Sequence, residues 1–124
     1  MINFYAAWTG IFLGLLAGAV EGLFFHSEEW RGGYSSWRRR LVRLGHISFF
    51  GIGFINLFYA LSIDYLAISC PSRWSSILLI VGAVSMPTIC YLSAWRKLFR
   101  HLFFIPAGSV ILGVGHFLFM EVLR

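Results

Sequence analysis

Charge, and acidic charge above all, is what this chain has least of. Five Asp and Glu stand against ten Lys and Arg, charged residues make up 12% of the 124, and 59% are hydrophobic. A soluble domain of this size needs more polar surface than that, so a water-solvated fold is excluded and a bilayer is the solvent that fits. Cysteine is scarce as well. Cys70 falls in a loop and Cys90 inside an apolar run, which argues against a disulfide framework, and no CxxC redox or metal motif exists. There is no HxxxH or HExxH, no GxSxG elbow, no P-loop and no dinucleotide fingerprint. The serines, histidines and acids are not spaced as a nucleophile and its base require, so no catalytic residue is assigned and no metal site is expected. Repeats, linkers and low-complexity tracts are missing too, and residues 1–124 read as one transmembrane domain. The N-terminal run lacks a basic n-region and a small-residue cleavage site, so it is expected to remain as a membrane helix.

What is present is four apolar runs, at about residues 3–25, 41–62, 74–95 and 102–123, each long enough to cross about 30 Å of hydrocarbon at about 1.5 Å per residue. The fold class this implies is all-α: a four-transmembrane-helix antiparallel bundle with short loops. The first run carries Gly10, Gly14, Gly18 and Gly22 at a strict spacing of four, a glycine-zipper stripe that lets another helix approach closely. The second follows five arginines (Arg31, Arg38, Arg39, Arg40, Arg43) and is then free of charge until Asp64. Along it His46, Gly53 and Ala60 form a small, polar face flanked by Phe49, Phe50 and Asn56. Phe54, Leu57, Phe58 and Leu61 suit lipid or a neighbouring helix. In the third, Pro87 frees the carbonyl of Ala83, for which Ser85 or a neighbouring helix is the expected partner. In the fourth, Pro106 sits in the first turn, and Ser109, Gly113 and His116 share a face.

The net charge of +5 and pI near 9.8 do not point to nucleic acid, because the basic residues lie in short loops between apolar runs. Eight of the ten occupy the first and third loops. The positive-inside rule puts those loops in the cytoplasm and both termini on the other side, as in a bacterial-type inner membrane. Trp30 and Trp37 read as an aromatic belt, with Arg38, Arg39 and Arg40 facing lipid headgroups; the Gly32-Gly33 pair argues against one continuous helix across this first loop.

Polar residues inside the spans fall into two layers. Glu21, His26, His46 and His101 lie near the cytoplasmic side, and Asn56 and His116 about 20 Å up. Glu21 is the costliest, at roughly 2.5 to 3.5 kcal/mol on insertion scales, and wants a partner, for which His46 and Arg43 lie at the right depth. The histidines raise a cofactor question, since imidazole ligates the iron of haem b or the metal of another tetrapyrrole. His46 and His116 differ in depth by about 12 Å, too much for one bis-histidine haem. His46 with His26, His101 or Met86 is the pairing that depth allows. The run RLGHISFFGIGFINL is loosely similar to the histidine-bearing start of haem-copper-type membrane helices. It has one histidine where that pattern has HxH, and it assigns no family to the chain.

With almost no soluble mass, the chain is expected to be a small non-catalytic integral subunit of a larger membrane complex. Such a complex would be respiratory or otherwise electron-transferring, with other membrane subunits and the lipid bilayer as partners and haem, quinone or pigment contacts at the histidines. The alternative is a small homo-oligomeric transporter or channel with a path lined by Glu21, His46, Asn56 and His116. The charge tally is tested by reporter fusions: a C-terminal alkaline phosphatase is expected to be active, and one placed in the first or third loop inactive.

Overall fold

The computed structural model describes residues 2–123 and contains four helices long and apolar enough to cross a membrane. Helix α1 is Ile2–Gly22, α2 Trp37–Tyr65, α3 Arg73–Trp95 and α4 Phe104–Phe117; α4 is entered through a 3-10 segment, Lys97–Phe103, and leaves through a π-helical turn, Leu118–Val122. No strand occurs among the described residues. The boundaries differ from the hydropathy reading where local chemistry decides them. The α-helical part of the first span stops at Gly22, and Leu23–Phe25 continue as tight turns. The second begins earlier than its apolar run because the Ser36 hydroxyl accepts from the Arg39 N–H at 3.2 Å and so caps the helix among the arginines. Ser72 caps α3 in the same way, accepting from Trp74 N–H at 3.2 Å.

The four helices run antiparallel in sequence order. The pair α2 and α3 is central, α1 packs on α2 with a lesser seam to α3, and α4 packs on α3; no comparable seam joins α1 to α4. Helix α3 is the most enclosed of the four and α4 the least. On α2, Gly53 and Asn56 of the small, polar face are buried with Ile52 and Tyr59, and Phe54, Phe58 and Leu61 are exposed, while His46, Leu57 and Ala60 are half-buried.

Small residues set how closely the helices meet. A Cβ added at Gly10 would lie 3.4 Å from the Phe49 carbonyl, and one at Gly53 would lie 3.4 Å from the Ala7 carbonyl, so α1 and α2 touch backbone to backbone there. A Cβ at Gly14 would stand 2.9 Å from the Phe50 ring and 3.1 Å from Phe49 Cβ, and one at Gly18 would stand 2.6 Å from His46 Nε2. Gly22 does not belong to this seam, since nothing lies within 4 Å of its would-be Cβ; the helix ends there and the chain turns away. Gly45 meets Cys90 and Tyr91 across the α2–α3 seam, and Gly113 meets Leu79 across the α3–α4 seam.

Two expectations need correcting. Ser85 does not serve the carbonyl that Pro87 frees. Its hydroxyl donates to Val81 O at 2.6 Å and Thr88 donates to Val84 O at 2.6 Å, because a helical Ser or Thr reaches its own i−4 carbonyl most easily. Arg39 does not face lipid phosphate with Arg38 and Arg40. It is 3% exposed, its Nη1 donates to the Ser27 and Glu28 carbonyls at 3.4 and 3.3 Å, and its guanidinium lies 5.7, 5.6 and 5.3 Å from the centroids of the Phe25, Trp30 and Tyr34 rings. Carbonyls and ring faces replace water around the charge, so one arginine holds the first loop folded. Trp30 is drawn into the same structure, stacked on Phe24 with centroids 5.4 Å apart. The loop itself turns through Arg31, Gly32 and Gly33, all at positive φ, which is why helix does not run through it.

Gly14→Val places two methyls and a Cβ against Phe49 and Phe50 and is expected to lower unfolding stability in detergent by about 1–3 kcal/mol. Gly22→Val, with open space around it, is expected to stay within about 0.5 kcal/mol of the parent in the same melt.

Candidate functional site

Three clusters of polar side chains lie within the spans, each joining helices that the glycine seams bring together. At the end of the bundle nearest the first loop, Glu21 of α1 is 7% exposed and accepts from the Tyr91 hydroxyl of α3 at 3.0 Å. Its other oxygen stands 4.0 Å from His46 Nδ1 of α2. Three helices thus share one carboxylate. The other partner expected for Glu21, Arg43, is engaged elsewhere: it stacks 4.4 Å from the Tyr34 centroid and donates to the Tyr34 carbonyl at 3.4 Å.

Toward the opposite end, Asn56 is 0% exposed at the meeting of α1, α2 and α3. Its Nδ2 donates to Ile52 O at 3.0 Å and Leu79 O at 3.2 Å, and its Oδ1 accepts from Asn3 Nδ2 at 2.8 Å. Asn3 is closed in turn by Ser76, whose carbonyl accepts at 3.2 Å and whose hydroxyl donates to Asn3 Oδ1. Every polar atom of the Asn56 amide therefore has a partner.

The third cluster joins α3 to the last span. Ser75 Oγ lies 2.9 Å from His116 Nδ1 and donates to Glu121 Oε1 at 3.0 Å. The π-helical turn after α4 brings Glu121, five residues beyond His116, onto the same serine. Serine, histidine and acid are present but not as an acyl-transfer triad. The carboxylate sits on the serine and not on the imidazole, no His116 nitrogen lies within 4.0 Å of it, and Ser75 is fully buried. Glu121 Oε2 is buried without a hydrogen-bond partner.

The histidines are kept apart. His46 belongs to the Glu21 cluster, His116 to the Ser75 cluster at the other end, and His26 and His101 are exposed outside the helical core. His46 does not fit an axial ligand to haem or another tetrapyrrole. Its Nδ1 faces Glu21 and its Nε2 faces Gly18, where a Cβ added to the glycine would stand 2.6 Å away, so both ring nitrogens are turned toward α1 although the side chain is 28% exposed. No group of three His, Cys, Asp or Glu side chains that could hold a metal ion exists among the described residues.

A furrow runs along the seam between α1 and α3. Two hollows of about 500 and 460 Å³ share Leu13, Phe49 and Tyr91; the first continues to Glu21, Trp30 and Arg31, the second to Tyr5, Ala83 and Pro87. Its walls are mostly apolar, and its polar end is formed by Glu21, Tyr91 and Arg31.

Sequence reading missed Asn3, Ser75, Ser76, Tyr91 and Glu121. Glu121 carries the signal that singled out Glu21, a carboxylate within an apolar run, and the same rule finds it. Asn3 and the two serines sit close to the helix ends, where polar residues are unremarkable. Comparison with protein-family models, curated proteins and solved structures finds no match, so the functional reading rests on this geometry.

Asn56→Ala removes three hydrogen bonds and leaves Asn3 short of a partner; an unfolding penalty of about 2–3 kcal/mol is expected. In a double-mutant cycle with Asn3→Ala, measured by unfolding in mixed micelles, the two losses are expected to overlap by about 0.5–2 kcal/mol.

Proposed function

We propose that this chain is a small, non-catalytic integral subunit of a larger membrane complex. The observation that carries the reading is that most of the polar side chains within the spans bind one another across helices, with Glu121 Oε2 and Ser93 Oγ left without a partner, while the outer faces are apolar. Asn56 is fully partnered inside the bundle, Glu21 is held by Tyr91 and His46, and Ser75 is fully buried between His116 and Glu121. A protein that processes a substrate needs reactive groups open to it, whereas these groups tie helices together. The outer faces that remain, with Phe12, Leu15 and Val20 on α1 and Ile111 and Leu112 on α4, are exposed and apolar. Such faces suit lipid or the helices of other subunits.

The transporter reading is less well supported. A permeation path needs polar groups that water can reach, and the amide and carboxylate that would line it point into interhelical contacts. An electron-transferring complex is the narrower form of the subunit reading. Such a complex would find His46 already turned toward Glu21 and Gly18 of α1, and His26 and His101 exposed outside the spans.

The test is purification from native membranes in a mild detergent, with photo-crosslinkers at Phe12 and Ile111. The expected result is a larger integral chain that co-purifies in fixed ratio and crosslinks from one of these two positions. A chain that runs alone or as a homo-oligomer, with crosslinks only to itself, would overturn the reading.

A further inference from the structure

The ten basic residues are not used alike. Arg39 and Arg43 are bound to loop carbonyls and rings, Arg31 lies 5.2 Å from the centroid of Trp30, and Arg96 lies 4.9 Å from that of Trp95. Three others converge on one space. Arg40 from the first turn of α2 and Lys97 and Arg100 from the 3-10 segment before α4 line one hollow of about 440 Å³, with Trp37 and Leu41 as its remaining walls. No carboxylate lines it. Among the described residues only His46 comes within 4.0 Å of an acid, so none of the three cations is ion-paired. Lys97 Nζ lies 5.5 Å from the centroid of the Trp37 ring, which joins the two sides of the hollow without neutralising either.

Arg40, Lys97 and Arg100 are all exposed around this hollow, and an anion entering it lowers their mutual repulsion. The anion's nature follows from where the hollow lies. It sits at the end of the bundle where α2 begins and α3 ends, the part of a span that meets the headgroups when the helices cross a bilayer. Exposed Leu98 and Phe104 on the same chain segment offer an apolar surface for acyl chains. Guanidinium forks match phosphate oxygens in pairs, and cationic pockets between membrane helices at this level suit acidic headgroups.

We propose that this hollow is a binding site for the phosphate headgroup of an anionic phospholipid, held by Arg40, Lys97 and Arg100. One phosphodiester offsets one of three charges, so a lipid bearing two phosphodiesters is held more tightly than one bearing one.

Native mass spectrometry of the full chain in non-ionic detergent tests this, with phosphatidylethanolamine, phosphatidylglycerol or diphosphatidylglycerol added. The parent is expected to retain diphosphatidylglycerol over phosphatidylglycerol, and both over phosphatidylethanolamine. Arg40→Gln/Lys97→Gln/Arg100→Gln is expected to cut retention by about tenfold or more. An equal loss of charge at Arg38→Gln/Arg73→Gln/Arg96→Gln is expected to leave it within about twofold. Arg100→Gln alone, on an exposed segment, gives a partial loss and guards against misfolding of the triple variant. Equal loss in both triple variants, equal retention of all three lipids, or release of bound lipid by millimolar inorganic phosphate would each overturn the proposal.

Discussion

Hydrocarbon offers no hydrogen bonds, so a polar side chain carried into it must find its partners within the protein. In this bundle that constraint is met most completely at Asn56, and the placing of three helices follows from it. One amide reaches its own helix at Ile52, α3 at Leu79 and α1 at Asn3, while Asn3 in turn binds Ser76 of α3. Rotating or sliding any of the three would leave a donor or acceptor bare. Eighteen residues further along α1, about 27 Å at helical rise, Glu21 makes the second three-helix junction with His46 and Tyr91. Between the two junctions the seam needs only close contact, and there Gly10, Gly14 and Gly53 let backbone meet backbone or ring.

Charge at the bundle end is divided by the same logic. Arg39 finds two carbonyls and three ring faces and becomes the core of the first loop, although nothing in the run RRR sets it apart from its neighbours. What decides is helical phase. Arg39 lies on the side of α2 that meets the folded loop, and Arg40, about 100° further round, faces the hollow shared with Lys97 and Arg100. The same cationic stretch thus contains arginines bound into the folded loop, Arg39 and Arg43, and one, Arg40, that faces the hollow.

Much of the fold could be read without coordinates because burial in a bilayer constrains composition so strongly. Four apolar runs, the break at Gly32-Gly33 and the packing role of Gly10, Gly14 and Gly18, though not of Gly22, follow from hydropathy, helical period and glycine's lack of a side chain. The polar sites were legible only by half. Glu21 and Asn56 announce themselves as polar groups in apolar surroundings, and His46 was among the partners that depth allowed for Glu21. Tyr91 did not stand out, because a tyrosine in an aromatic-rich span carries no mark of its hydroxyl's partner. Depth along the membrane can be counted from sequence, but which helix stands opposite cannot.

The sequence by itself therefore determined the solvent, the number of spans and their order, since these depend on local composition and a fixed rise per residue. Tertiary structure alone decided which polar groups meet. It drew Asn3 to Asn56, gave Glu21 to Tyr91 and His46, set Ser75 between His116 and Glu121, and separated His46 from His116. It also closed His46 against Gly18 and gathered Arg40, Lys97 and Arg100 around one hollow. Those pairings depend on the rotation and partner of each helix, and such quantities are set by contacts between residues tens of positions apart, which no local pattern encodes.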